Sequence, residues 1–282
     1  MINLTYRKKK KKNNNIEKQK ATDLFMNANF NLTDDYKGIT NIGDSCYINS
    51  VIQLLYSCDI FYNLITDCKA GGETQKILRT IFLELNSGFN PDTKELISKL
   101  GFQKKIAEDA QDALSRILDL LNDEFKNSIY ANVFDILFRI KLDITLNCKP
   151  NNQEEHIHER QDNNITLTIL VSDSIDKCFK IFSNNIIDSY ECDKFNIKVD
   201  YVKETIRISK FPVYLIISLK RFNNHLQKNN IKCYLTAELD LNEYNSNRVV
   251  ENYSLFGIII HQEFIGKNNE KSGHYMLFIF LI

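Results

Sequence analysis

GITNIGDSCYINSVIQLLYS, residues Gly38–Ser57, sets two glycines and a run of small polar residues ahead of a cysteine, followed by an apolar pattern of helical period. Val51, Ile52, Leu54 and Leu55 recur at three- and four-residue intervals, as in a helix with one face in a core. Cys46 therefore falls at a helix start, where unpaired backbone N–H groups and the positive end of the helix dipole favour a thiolate. Gly43 permits an unusual turn, and Asn41, five residues before the thiol, can bring an amide donor to a developing oxyanion. A structural cysteine at the start of a core helix looks the same locally, and Asn41 also suits a plain turn cap. The partner of Cys46 decides between these readings.

The rest of the chain sets bounds on that choice. It has 282 residues, 43% of them hydrophobic, enough for a sizeable core in one large domain or two lobes. Basic and acidic residues number 36 each, so no overall charge excess favours nucleic acid. The seven cysteines, with no signal-peptide pattern in the opening MINLTYRKKKKKNNNIEKQK, fit free thiols in a reducing compartment. No apolar run reaches the length of about 20 residues that spans a membrane. The block Arg7–Lys12 and the Asn run after it predict a flexible basic tail and lead-in over residues 1–36. Nuclear targeting or polyanion contact is the other use of such a block.

From there to about residue 127 the pattern is helical, with TQKILRTIFLELNS and AEDAQDALSRILDLLNDEF as amphipathic segments. Beyond about residue 128 it turns to strands: ITLTILV, FNIKVDYV, VYLIISLKRF, YSLFGIIIH and HYMLFIF, separated by Asn-rich turns. A helical lobe followed by a mostly antiparallel sheet is expected. Of the five histidines, His156 and His158 lie in the polar segment NNQEEHIHERQDNN, read as a solvated loop, and His225 in a turn. His274, in KSGHY, stands between a glycine turn and a strong strand, where a scaffold can aim it. An early cysteine and a late histidine suit thiolate–imidazole acyl transfer.

At this point four segments, in order, resemble the ubiquitin-specific proteases, cysteine peptidases of the papain-like superfamily. GITNIGDSCYINSVIQLL resembles the family's cysteine box, and YSLFGIIIHQ with SGHY its histidine box. EDAQDALSRILDLL resembles the acidic helix between them, and FPVYLIISLKRF with LDLNEY the central strands. The resemblance implies an α+β fold with a helical thumb (about 37–127), a reduced finger (about 128–205) and a mostly antiparallel palm (about 206–282). Cys46 then matches the nucleophile, His274 the general base and acid, and Asn41 the side-chain donor of the oxyanion hole. Asp109 and Asp112 match the acidic helix that receives the ubiquitin tail, and Gly273 and Tyr275 match residues around the tail channel.

The matches also depart from the family. Where the finger commonly carries two C-x-x-C zinc pairs, this chain reads CKPN from Cys148 and CDKF from Cys192, one cysteine each, so no metal or other cofactor is expected. Asp112 stands where glutamate is usual and Ala107 where glutamine is usual. The third catalytic residue normally lies over a dozen residues beyond the histidine, past a tryptophan. This chain has eight residues after His274 and no Trp, which predicts weakened activity unless Asn268, Asn269 or Glu270 substitutes.

The function implied is thiol-dependent hydrolysis after the C-terminal glycine of ubiquitin, by a deubiquitinating cysteine peptidase. A ubiquitin-binding pseudoenzyme, or a peptidase for another ubiquitin-like modifier, stays open. The expected partners are ubiquitin or ubiquitinated proteins, without nucleic acid or membrane, for a monomer in the cytoplasm and nucleus, or in a host cell if the source is viral.

Overall fold

A computed structural model of the chain describes residues 2–9, 37–68, 71–103, 108–149, 155–194, 196–221, 229–247, 251–265 and 271–280. Strand β1 (Ile2–Lys8) precedes six helices: α1 (Cys46–Ser57), α2 (Asp59–Asp67), α3 (Glu73–Asn86), α4 (Lys94–Lys99), α5 (Ala110–Phe125) and α6 (Val133–Leu137). Strands β2 (Ile140–Cys148), β3 (His156–Asn164) and β4 (Thr166–Leu170) follow, then helix α7 (Ile175–Ser183). The chain continues through β5 (Asn184–Cys192), β6 (Ile197–Lys210), β7 (Tyr214–Lys220) and β8 (Glu238–Asp240) to β9 (Asn252–Ile265) and β10 (Lys271–Ile279). Two compact units divide the chain at Leu137/Phe138 and again within β9 at Leu255/Phe256. This is the expected α+β class.

The helix-rich unit is built around α1. Eleven of its twelve residues are buried, so it is enclosed on nearly every side, more fully than its single apolar stripe suggested. It packs against α5 and against β10. Gly257 of β9 lets Leu54 come close, since a Cβ there would lie 2.6 Å from the Leu54 Cδ1. Phe61 sits edge-on to Phe82 and Phe134, and Phe125 lies tilted on Phe134, with centroids 5.4–6.4 Å apart. Helix α3 has a glycine, Gly72, at its N-cap. The Glu124 carboxylate of α5 accepts instead from the N–H groups of Thr74 (2.8 Å) and Gln75 (3.0 Å), satisfying two orphan donors of α3.

The strand-rich unit holds an antiparallel sheet in the order β3-β2-β6-β5. Strand β2 buries every second residue, with Ile144 opposite Ile206. In β7 six consecutive residues are buried, and β7 runs parallel to β4 with Leu167 opposite Ile217, as an unbroken apolar run predicts. Helix α7 packs on β4, β5 and β6.

Three expectations change here. Residues 2–8 are strand, not tail: β1 lies beside β7, and Leu4 and Tyr6 are fully buried. The alternation Leu4, Tyr6 supplies an inward face, which the adjoining lysines masked in the sequence. Arg7, Lys8 and Lys9 are held too, Arg7 over the Tyr214 ring and Lys8 by Glu251 at 2.6 Å. The rest of the predicted tail, residues 10–36, lies outside the described residues. The His156–Asn164 segment is strand β3 rather than a loop, antiparallel to β2 at the sheet's edge, where a polar outer row is tolerated. A helix, α7, interrupts the run of strands.

Candidate active site

The turn before α1 is set by two residues in the left-handed region, Gly43 (φ 91°) and Asp44 (φ 46°). It folds Asn41 back onto Ser45. The Asn41 Oδ1 accepts from the Gly43 N–H (3.1 Å) and the Ser45 hydroxyl (3.0 Å), and the Ser45 Oγ accepts from the Ile42 N–H (3.1 Å). The carboxamide oxygen is thereby fixed, which aims Nδ2 as a donor uncommitted among the described residues. Ser45, the N-cap residue, makes no side-chain cap, and the first turn of α1 carries no acid. The orphan N–H groups beside Cys46 therefore meet no competing anion from their own helix.

Strand β10 supplies the other half. Among the described residues it pairs with β9 alone, Tyr275 opposite His261 and His274 opposite Gln262. On an edge strand alternate N–H groups turn outward. The Tyr275 N–H does so and donates to the Cys46 Sγ at 3.5 Å. Its phenol O–H donates to the Asp109 Oδ2 at 3.4 Å. Asp109 is also the N-cap of α5, its Oδ1 accepting from the Gln111 N–H at 2.7 Å. One carboxylate thus ties the start of α5 to the strand that contacts the thiol. Burial first, and then the Asp109 charge, raise the Tyr275 phenol well above its ordinary range, keeping it a donor. On the same helix as the thiol, burial, with Glu108 next, pushes the Tyr47 phenol up to about 12. The Tyr47 ring sits edge-on to Phe102 at 5.7 Å.

Of the candidate residues, Cys46, Tyr275 and Asp109 form one hydrogen-bonded chain. Asn41 lies in the adjoining turn. His274 is the neighbour of Tyr275 in the strand, exposed, and without a hydrogen bond to the Cys46 sulfur among the described residues. Asp112 is exposed one turn into α5. At Gly273 a Cβ would come within 2.1 Å of the His261 Nε2. The His261 ring fills that space and lies against the Tyr275 ring, centroids 4.6 Å apart. His261 is the site residue that sequence reasoning missed; its cross-strand place opposite Tyr275 needs the hairpin register to be known. Ala107, Asn268, Asn269 and Glu270 lie outside the described residues.

In the strand-rich unit, Cys148 and Cys192 do meet. The His156 Nδ1 is 3.3 Å from the Cys192 Sγ, and Leu146, Val202, Ile187, Tyr190 and Val199 surround the thiols. Burial, then the neighbouring Cys192, push the Cys148 thiol up to about 11. This apolar setting favours protonated sulfur over a thiolate ligand, and no group of three ligating side chains suited to a metal occurs among the described residues. Among the described residues the donors gathered here, two thiols and one imidazole, fall short of a tetrahedral set.

A thiol opening a buried helix, with a histidine on the edge strand packed against that helix, defines the papain-like cysteine-peptidase class of α+β folds. The family model described as ubiquitin carboxyl-terminal hydrolase matches residues 37–280, and the chain belongs to that family. It is 26% identical over 281 residues to ubiquitin carboxyl-terminal hydrolase 23 of Arabidopsis thaliana, covering 86% of this chain and 31% of the relative. With ubiquitin carboxyl-terminal hydrolase 7 of Drosophila melanogaster the identity is 24%, covering 86% and 23%. With ubiquitin carboxyl-terminal hydrolase 4 of Arabidopsis thaliana it is 24%, covering 86% and 80%. The chain thus spans about a third or less of the first two relatives.

Proposed function

We propose that this chain is a deubiquitinating cysteine peptidase, hydrolysing the peptide or isopeptide bond after the C-terminal glycine of ubiquitin. The observation that carries the reading is the Tyr275 N–H donated to the Cys46 sulfur at the uncapped start of α1, with His274 the adjoining strand residue. Family membership and the relatives' names support the substrate class. In this reading Cys46 attacks the carbonyl as a thiolate and forms the acyl-enzyme. His274 takes the thiol proton and returns it to the leaving amine. The Asn41 Nδ2, aimed by its anchored oxygen, and the Cys46 N–H receive the oxyanion. Asp109 and Asp112 meet the basic ubiquitin tail. A ubiquitin-terminated electrophile should form a covalent adduct that is lost in Cys46→Ala; absence of adduct with folded protein would refute the reading.

A ubiquitin-binding pseudoenzyme is favoured by one observation, the lack of a His274 hydrogen bond to Cys46 among the described residues. Catalytic hydrogen bonds often tighten only when substrate binds, so the hydrolytic reading keeps precedence. Measurable ubiquitin affinity with no hydrolysis of a ubiquitin fluorogenic substrate would reverse that order.

A further inference from the structure

Outside the candidate site, the strand-rich unit holds a second close thiol pair. Cys178, in the middle of α7, is fully buried, and its sulfur lies 3.9 Å from that of Cys233. Cys233 is the one cysteine of the seven that is not buried. The main chain fixes this approach. The Tyr234 N–H donates to the Asp173 carbonyl at 2.8 Å, and the Ile175 N–H donates to the Tyr234 carbonyl at 3.0 Å, clasping the residue after Cys233 to the start of α7. On the other side the Arg221 guanidinium donates to the carbonyls of Ile231 (2.8 Å) and Asn229 (3.2 Å). The Ser172 N–H donates to the Cys178 sulfur at 3.1 Å, a contact that supports negative charge as it develops there.

We propose that Cys178 and Cys233 are an oxidisable dithiol, a modification site that hydrogen peroxide converts to a disulfide pinning the 229–234 segment onto α7. The Cys233 thiolate attacks the peroxide O–O bond, giving a sulfenic acid and releasing water after proton transfer. Cys178 then attacks the Cys233 sulfur, the S–O bond breaks and a second water leaves. Two thiols are oxidised and one peroxide is reduced. Closing to a disulfide of about 2 Å needs a shift of about 2 Å between sulfurs whose backbones are already held. The groups around Cys233 are Cys178, Arg221, Asp173 and the Tyr6 phenol. Burial, then the Cys178 sulfur, push the Cys233 thiol up to about 12, so the oxidation quickens as pH rises. Cys148 and Cys192 are both fully enclosed and should react later.

The test treats the reduced full chain with limiting hydrogen peroxide and maps the peptides without reductant. The expected product has lost two hydrogens and joins the Cys178 and Cys233 peptides. It reverts with reductant and is absent in Cys233→Ser. In Cys178→Ser, checked for folding by circular dichroism, Cys233 should instead be trapped as sulfenic acid by a dimedone reagent. Sulfenic or sulfinic Cys233 without the cross-link in the unsubstituted chain would overturn the proposal, as would a first cross-link between Cys148 and Cys192. Cys46→Ser, which removes the candidate nucleophile as a competitor for peroxide, should give the same cross-link, so the result is separable from the peptidase reading.

Discussion

At the scale of single residues, the site turns on a missing side chain. Gly273 leaves the space that His261 fills, and His261 supports the ring of the tyrosine whose N–H meets the Cys46 sulfur. Gly273→Ala drives a Cβ into the imidazole, displacing His261 and with it Tyr275. Because a misplacement of about 1 Å in a reacting geometry costs as much as ~10²-fold, kcat/KM for a fluorogenic ubiquitin substrate should fall by about tenfold or more. The melting temperature should move little, since the position is exposed. Unchanged kcat/KM would show that His261 does not set the Tyr275 geometry. Cys46 and His274 were singled out from type and context, a thiol after a glycine turn and a histidine before a strong strand, and the structure sets Cys46 against the strand that carries His274. The Asp109–Tyr275–Cys46 chain was not, because it depends on which backbone N–H an edge strand turns outward, and no residue type records that.

Among the secondary-structure elements, two carboxylates act as helix caps. Asp109 caps α5 from its own chain, and Glu124 caps α3 from a neighbouring helix. Asp109→Ala removes the cap and should cost about 1 kcal/mol, whereas Asp109→Asn retains a good cap and should stay near the parent. A loss of 1 kcal/mol lowers the melting temperature by roughly 2–4 °C in a domain of this size. Equal destabilisation by both variants would mean that the charge, rather than the cap, holds α5. Glu124→Ala leaves two N–H groups of α3 without their charged acceptor, and chemical denaturation should show a loss of about 1.5–3 kcal/mol. A change below about 0.5 kcal/mol would mean that water replaces the carboxylate without penalty. The Asp109 cap was not read from the sequence, which took Asp109 as part of the acidic helix itself, although an acid just ahead of an apolar helical run was the available signal. The Glu124 cap was not, since it joins residues about fifty positions apart and only the packing of α3 on α5 reveals it. Similar reasons hid α7 and β3: a short helix among strands and a polar edge strand carry little periodic signal.

For the whole molecule, the change from helix-rich to strand-rich sequence near Leu137/Phe138 was legible in the shift of hydrophobic spacing from three and four residues to two, whereas the return of the chain to the helix-rich unit after Leu255 was not. The opening strand was missed because a block of six basic residues outweighs a short alternating pattern in any reading by composition. The strand-rich unit makes its own prediction. With Cys148 and Cys192 in an apolar cluster beside His156, a strong chelator should change neither its melting temperature nor the activity, and stoichiometric zinc in purified protein would contradict this. The most direct test of the central claim is intact-mass analysis after exposure to a ubiquitin-terminated electrophile. The unsubstituted chain and the variants Cys46→Ala and His274→Ala should be compared. A single adduct on Cys46, absent in Cys46→Ala and formed more slowly in His274→Ala, is the predicted result. No adduct on folded protein, or one that survives Cys46→Ala, would contradict the account.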